Sequence, residues 1–279
     1  MNNGLLVVNK PKGMTSRDVV NKVCRKFNTK SVGHIGTLDP LAEGVLVCLI
    51  GKYTKLANIL VEHDKEYIAS FKLGILTDTL DITGNVLKEG KKYFSKDEII
   101  NALNHFKGTY NQEVPIYSAV KVNGKKLYEY ARNNIDVKLP SKIVNIYDIE
   151  LIDIKDDIIT IKCKVSKGTY IRSLIRDIGA FLGTYATMTS LVRTILGDFN
   201  IDGAYTLEDI ENDNYKLLKL NDFLDVVTKK IDNEEDYKHI KNGNVVNVKS
   251  NNYILFTYED EDIALYEPFD DKIKPLIMF

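Results

Sequence analysis

The sequence predicts an α+β fold with a small β-rich domain at its C-terminal end. Three observations predict it. Apolar, β-branched runs of strand length recur between turn residues, as in Leu5–Val8, Val45–Ile50 and Ile158–Val165. Segments of 3.6-residue apolar period stand between them, as at Val19, Val20, Val23, Cys24 and Phe27. Past Val227 the composition shifts to charged stretches and short strands.

Gly4–Val8 reads as a strand ended by the basic turn Asn9-Lys10-Pro11-Lys12-Gly13. Thr15 or Ser16 caps the first helix, whose outer face carries Arg17, Lys22, Arg25 and Lys26. Gly33–Gly44 then holds three framing glycines, His34, Asp39 and Glu43 before the apolar run Val45–Ile50. That pattern predicts a tightly bent loop feeding a core strand, with Asp39 at its centre. A short helix follows over Thr54–Val61. Lys65–Leu73 alternates as a strand with Tyr67, Ala69, Phe71 and Leu73 on one face. In Leu76–Gly84, Asp78 and Asp81 suit turn chemistry better than a cation site.

Ser95-Lys96-Asp97-Glu98 is a capping box opening a helix that Gly108 stops. Tyr117–Val122 reads as a strand, Asn123-Gly124 as a turn, and Lys125–Arg132 as a helix. Lys142–Ile154 and Ile158–Val165 form a hairpin. After the Ser166-Lys167-Gly168 turn a helix begins, with Ile171, Leu174, Ile175, Ile178 and Leu182 facing the core. Arg172 falls in its first turn, where the helix dipole disfavours a cation, so a carboxylate partner is inferred for it. Ala186–Leu196 is a strand carrying Leu191 and Arg193. Helical stretches follow from Thr206 and over Leu217–Val227, then a linker at Lys229–Glu235. Tyr253–Tyr258 and Ile263–Tyr266 are strands of the C-terminal domain.

Among 279 residues the formal net charge of −1 conceals an asymmetry. The first 60 residues hold nine Lys or Arg against three Asp or Glu, and residues 201–279 hold nine against eighteen. A basic front is the footprint of a polyanionic partner, although uneven surface charge explains it equally well. Three scattered cysteines and four histidines without ligand spacing support neither a disulfide framework nor a metal site. The N-terminus has no signal-peptide pattern and no apolar run approaches bilayer length, so a cytoplasmic protein is expected. Phosphate-loop and nucleophile-elbow motifs are missing.

Asp39 before Pro40 is, by itself, a common helix N-cap arrangement. Asp39 and Glu43 could also form a two-carboxylate acid/base pair, as in glycoside cleavage. What the residues leave is one loop carboxylate among tyrosines and arginines, with no cofactor motif.

Five ordered blocks then point to a family: GLLVVNKPKGMTS (Gly4–Ser16), GHIGTLDPLAEGVL (Gly33–Leu46), KEYIASFKLGILTDTLDITG (Lys65–Gly84), VPIYSAVKVNGKKLYEYAR (Val114–Arg132) and SKGTYIRSLIRDIG (Ser166–Gly179). Through them the chain closely resembles the bacterial tRNA pseudouridine-55 synthases of the TruB type. The resemblance implies a mixed, mostly antiparallel central sheet of the pseudouridine synthase type, flanked by helices, over residues 1–226. It also implies a small PUA-like domain over 236–279. The implied activity turns one uridine of the tRNA T arm into pseudouridine, after the base is flipped out of its stack.

The family's nucleophile falls on Asp39, its stacking and proton-transfer tyrosine on Tyr67, and its ion-pairing arginine on Arg172. His34 matches the residue that occupies the space left by the flipped base; Tyr170 and Leu191 match the uracil pocket. Lys10, Lys12, Arg17, Arg25 and Lys30 are expected as phosphate contacts or steering charges. No cofactor, no metal, no membrane and no obligatory protein partner are expected, and a monomer is the default. A non-catalytic RNA-binding module and a nucleoside glycosidase using Asp39 and Glu43 are the competing readings.

Overall fold

The structure, a computed structural model, describes residues 3–60 and 63–279. In chain order the first part runs β1 (Gly4–Lys10), α1 (Ser16–Lys26), β2 (Val32–Ile35), β3 (Glu43–Ile50), α2 (Ala57–Leu60), β4 (Lys65–Leu73), β5 (Ile75–Thr77) and β6 (Val86–Glu89). It continues with α3 (Lys96–His105), β7 (Gly108–Glu113), β8 (Lys121–Val122), β9 (Lys125–Lys126), α4 (Leu127–Arg132), β10 (Ser141–Lys155), β11 (Ile158–Val165), α5 (Ile171–Phe181), β12 (Ala186–Leu196) and β13 (Phe199–Asn200). The last part holds α6 (Leu207–Glu211), β14 (Val226–Lys230), α7 (Glu234–Lys241), β15 (Tyr253–Tyr258), β16 (Glu261–Phe269) and β17 (Lys272–Met278).

The main sheet runs β1-β3-β12-β4-β11-β10-β7, with β2 on β3 and β13 on β12. Every pairing in it is antiparallel except the short β12–β3 contact, where Val192 faces Glu43 and Arg193 faces Gly44. The α+β class and the mostly antiparallel sheet are therefore as expected.

Burial explains the two kinds of strand pattern. On one face of the sheet, α3 and α5 cover Tyr67, Ala69, Phe71 and Leu73 of β4 together with Ile159, Ile161, Cys163 and Val165 of β11. The opposite residues of these strands stay open, so the sequence alternates. β1 and β3 instead lie between two layers. Val19, Val20 and Val23 of α1 pack on Leu6, Val8, Leu46 and Cys48, while Leu255, Leu265 and Ile277 of the C-terminal sheet share a core with Leu5, Val7, Val45 and Val47. Covered on both sides, they read as unbroken apolar runs. The caps also appear: Thr15–Asp18, Ser95–Glu98 and Thr206–Asp209 form reciprocal capping boxes.

Several local expectations are corrected. Val32–Ile35 is a strand paired to β3, so only residues 36–42 form the bent loop. The helix expected over Thr54–Val61 is a 3-10 turn, Gly51–Leu56, running into α2; Val61 lies outside the described residues. Tyr117–Val122 is a strand only at Lys121–Val122, because Tyr117–Val120 bends around the mouth of a cavity. Lys125 and Lys126 belong to the β8–β9 hairpin and precede the helix. Leu217–Val227 holds a single 3-10 turn at Leu220–Asp222 and the start of β14, since Leu218 pairs its backbone with Leu5 of β1 and Val226 already pairs with Tyr253. The charged stretch 229–235 carries the end of β14 and the start of α7. β14 lies parallel to β15, and the second sheet runs β14-β15-β16-β17.

Candidate active site

The loop between β2 and β3 is held at several points. Gly36 and Gly44, near its two ends, adopt φ of +67° and +98°, the region that suits glycine. Ser16, at the first turn of α1, donates to the Leu38 carbonyl at 3.1 Å, and its hydroxyl accepts from Leu38 N–H at 2.9 Å. The Gly13 N–H donates to the Pro40 carbonyl at 2.8 Å, and Ala42 N–H donates to the Asp39 carbonyl at 3.0 Å. That last bond closes a turn over Pro40 and Leu41 with no helix after it. Asp39 is thus no N-cap, and its carboxylate is available for other work.

The carboxylate partner inferred for Arg172 is Asp39. Arg172 Nε lies 2.9 Å from Asp39 Oδ2. The arginine is 6% exposed, and its other two nitrogens donate to the carbonyls of Thr79 at 3.0 Å and Tyr117 at 3.1 Å. Three elements therefore converge on one guanidinium: the turn after β5, the bend before β8, and the Asp39 loop. Asp78 and Asp81 act within that first turn. Asp78 accepts from Asn85 N–H, and Asp81 accepts from Thr83 N–H and Oγ1. They are turn residues, as their sequence suggested.

Asp39 and Arg172 border a cavity of about 420 Å³. Tyr67, Tyr170 and Leu191 line it too, so these five expected site residues come together from a loop, two strands and a helix start. Burial raises the pKa of the Tyr67 phenol, an effect that nearby Arg193 opposes. Tyr170 is shifted upward by burial as well.

Two other expected residues stand elsewhere. His34 sits in β2 opposite Cys48, half-buried and outside the lining of the cavity. Its Nδ1 is buried without a hydrogen-bond partner, and burial followed by the charges of Arg17 and Arg193 lowers its pKa. Lys10, expected at the phosphate backbone, is fully buried. Its ammonium donates to the carbonyls of Met14 at 2.6 Å and Pro11 at 3.0 Å, which ties down the turn after β1. Burial lowers its pKa against the charge of Glu43. Glu43 opens β3 and does not line the cavity, so it offers Asp39 no second catalytic carboxylate there.

Two cations of the cavity wall escaped the sequence reading. Arg193 is 1% exposed; it donates from Nε to the Val45 carbonyl at 2.8 Å and from Nη2 to the Gly36 carbonyl at 2.6 Å. An arginine inside a strand-patterned run, two residues past Leu191, was the available signal. Lys65 lines the cavity beside it, and burial together with the Arg193 charge lowers its pKa to about 8.

Known proteins match this arrangement over most of the chain. The TruB family pseudouridylate synthase N-terminal domain matches residues 24–171, and the tRNA pseudouridylate synthase B C-terminal domain matches residues 172–235. The chain belongs to the TruB family of pseudouridylate synthases. Among TruB relatives, the tRNA pseudouridine synthase B of Fusobacterium nucleatum is 45% identical over 94% of each chain. That of Caldanaerobacter subterraneus is 39% identical over 99% of each. A solved structure described as a Cbf5-Nop10-Gar1 complex superposes with a TM-score of 0.67 at 26% identity, covering 95% of this chain and 78% of the other. No described helix of this TruB-type chain is long and apolar enough to cross a membrane.

Proposed function

We propose that the chain is a tRNA pseudouridine synthase that isomerises uridine 55 in the T arm, working as a monomer in the cytoplasm. The observation that carries this reading is the Asp39–Arg172 pair, set in a cavity walled by two tyrosines and Leu191. Its volume, about 420 Å³, suits one extruded base and excludes a stacked helix.

In the reaction the N1–C1′ bond of the uridine breaks and a C5–C1′ bond forms. The C5 proton leaves, N1 gains one, and nothing is oxidised or reduced. Asp39 is the nucleophile, and Arg172, itself fixed by the carbonyls of Thr79 and Tyr117, holds its carboxylate in place through Nε. Tyr67 stacks on the base and takes part in proton transfer at C5. Tyr170 and Leu191 bound the uracil edge, and His34 fills the space that the flipped base leaves in the RNA. Arg17, Arg25, Lys12 and Lys30 steer the tRNA, whereas Lys10 serves the fold.

The test is to map pseudouridine in an unmodified tRNA transcript incubated with purified protein and with Asp39→Asn. Wild type is expected to convert position 55, and the variant to bind tRNA while forming no product. Turnover by Asp39→Asn at the wild-type rate would remove Asp39 as nucleophile. Free uracil in place of pseudouridine would make the protein a glycosidase.

A further inference from the structure

The edge strand β7 is tied to the start of α5 by one buried amide. Gln112 is 1% exposed. Its Oε1 accepts from the Tyr170 N–H at 2.8 Å. Its Nε2 donates to the Tyr170 carbonyl at 3.2 Å and to the Tyr110 hydroxyl at 2.5 Å. The orientation of this amide is set by its partners, because a backbone N–H can only donate. A single side chain thus serves both backbone groups of Tyr170, as a neighbouring strand would.

Tyr170 immediately precedes α5 and supplies no side-chain cap to it. Arg172 follows two residues later. The other ties between β7 and α5 leave Tyr170 untouched: Ser173 Oγ donates to the Glu113 carbonyl at 2.8 Å, and Arg176 pairs with Glu113 at 2.9 Å. Those contacts hold the helix to the strand, whereas Gln112 holds the residue from which the site side chains start.

We propose that Gln112 is a positioning residue for the isomerisation: by holding both backbone groups of Tyr170, it fixes the Tyr170 ring at the cavity and aims Arg172 at Asp39. The inference rests on the pseudouridine synthase reading above. Removing the amide leaves the Tyr170 N–H without its acceptor and the carbonyl with only the Leu174 N–H, 3.0 Å away, so the backbone at Tyr170 must move to satisfy the N–H. A displacement of under an ångström at Arg172 is enough to slow a reaction that depends on alignment.

Single-turnover pseudouridine formation on a tRNA transcript tests this with Gln112→Ala, Gln112→Glu and Ser173→Ala. Gln112→Ala is expected to react about 10- to 100-fold more slowly, with a tRNA dissociation constant within about threefold of wild type. Ser173→Ala, which removes a buried bond between the same two elements, is expected to keep the wild-type rate. Gln112→Glu adds a pH signature. A neutral carboxyl offers the donor and acceptor that Tyr170 needs, whereas a carboxylate only accepts, so its rate relative to wild type should rise as pH falls.

The charged and titratable groups around position 112 are Tyr110 on its own strand, Asp177 and Arg176 on α5, the adjoining Glu113, and Lys142 opposite on β10. All are present in wild type and cancel in the ratio. A wild-type rate in Gln112→Ala, equal losses in Gln112→Ala and Ser173→Ala, or a flat ratio for Gln112→Glu each overturn the proposal. If Gln112→Ala fails to fold, the pH ratio of Gln112→Glu decides alone. Wild-type protein that forms no pseudouridine overturns the functional reading and this inference with it.

Discussion

A side chain on Gly44 would overlap the backbone carbonyl oxygen of Arg193, its partner across the parallel β3–β12 contact. Gly36 is under a related constraint, since a Cβ there would lie 3.0 Å from Arg193 Nη1. Both ends of the Asp39 loop therefore close on one buried arginine. The glycines frame the loop because Arg193 stands between them.

From this contact, Gly44→Ala is expected to lose about 2 kcal/mol or more of stability, through overlap with β12 and a φ that alanine adopts poorly. Pseudouridine formation should fall with it, because the loop that carries Asp39 must shift. Urea unfolding measures the first effect. A wild-type midpoint in the variant would show that the loop does not close on β12 in this way.

Arg172→Ala removes the partner of Asp39 and two donors to the carbonyls of Thr79 and Tyr117. Turnover is expected to fall by about 100-fold or more, in line with the loss of one preorganised charge contact. Affinity for tRNA should change far less, since Arg172 is buried and most RNA affinity comes from exposed cations. Tyr67→Leu should show the same split between turnover and binding. Equal losses in rate and affinity would make both of them binding residues.

Lys65 yields a prediction in pH. Its pKa in the folded chain is about 8, below the ordinary 10.5, so folding works against its charge. At pH 7 the ammonium is charged in both states and the folded state bears the desolvation cost. Lys65→Met is therefore expected to be more stable than wild type at pH 7. As pH rises past about 8 the folded lysine loses its proton and the cost is relieved, so the gap narrows towards pH 10.5. Chemical unfolding of the two proteins at pH 7, 9 and 10.5 measures it. A gap that stays constant or widens refutes the sign.

Much of the architecture was legible in local pattern. Strand period distinguished half-covered β4 from β1 and β3, which are buried on both faces, and a capping box marked the start of α3, as cap residues marked those of α1 and α6. Reading failed where a segment answers to distant neighbours. Tyr117–Val120 has strand-like residues but bends to offer Arg172 a carbonyl. Leu217–Val227 looks helical but gives its backbone to β1 at Leu218 and to β15 at Val226.

The site divides along the same line. By itself the sequence determined that Asp39 lies in a glycine-framed loop and that Arg172, misplaced for its helix dipole, needs a carboxylate. Helix and turn chemistry act within a few residues, so they can be read from neighbours in the chain. Only the tertiary structure decided that these two side chains meet at 2.9 Å, that Lys10 turns inward, and that Arg193 closes the loop. Those outcomes depend on which strands pair and which faces are covered, and such pairing joins residues more than a hundred positions apart.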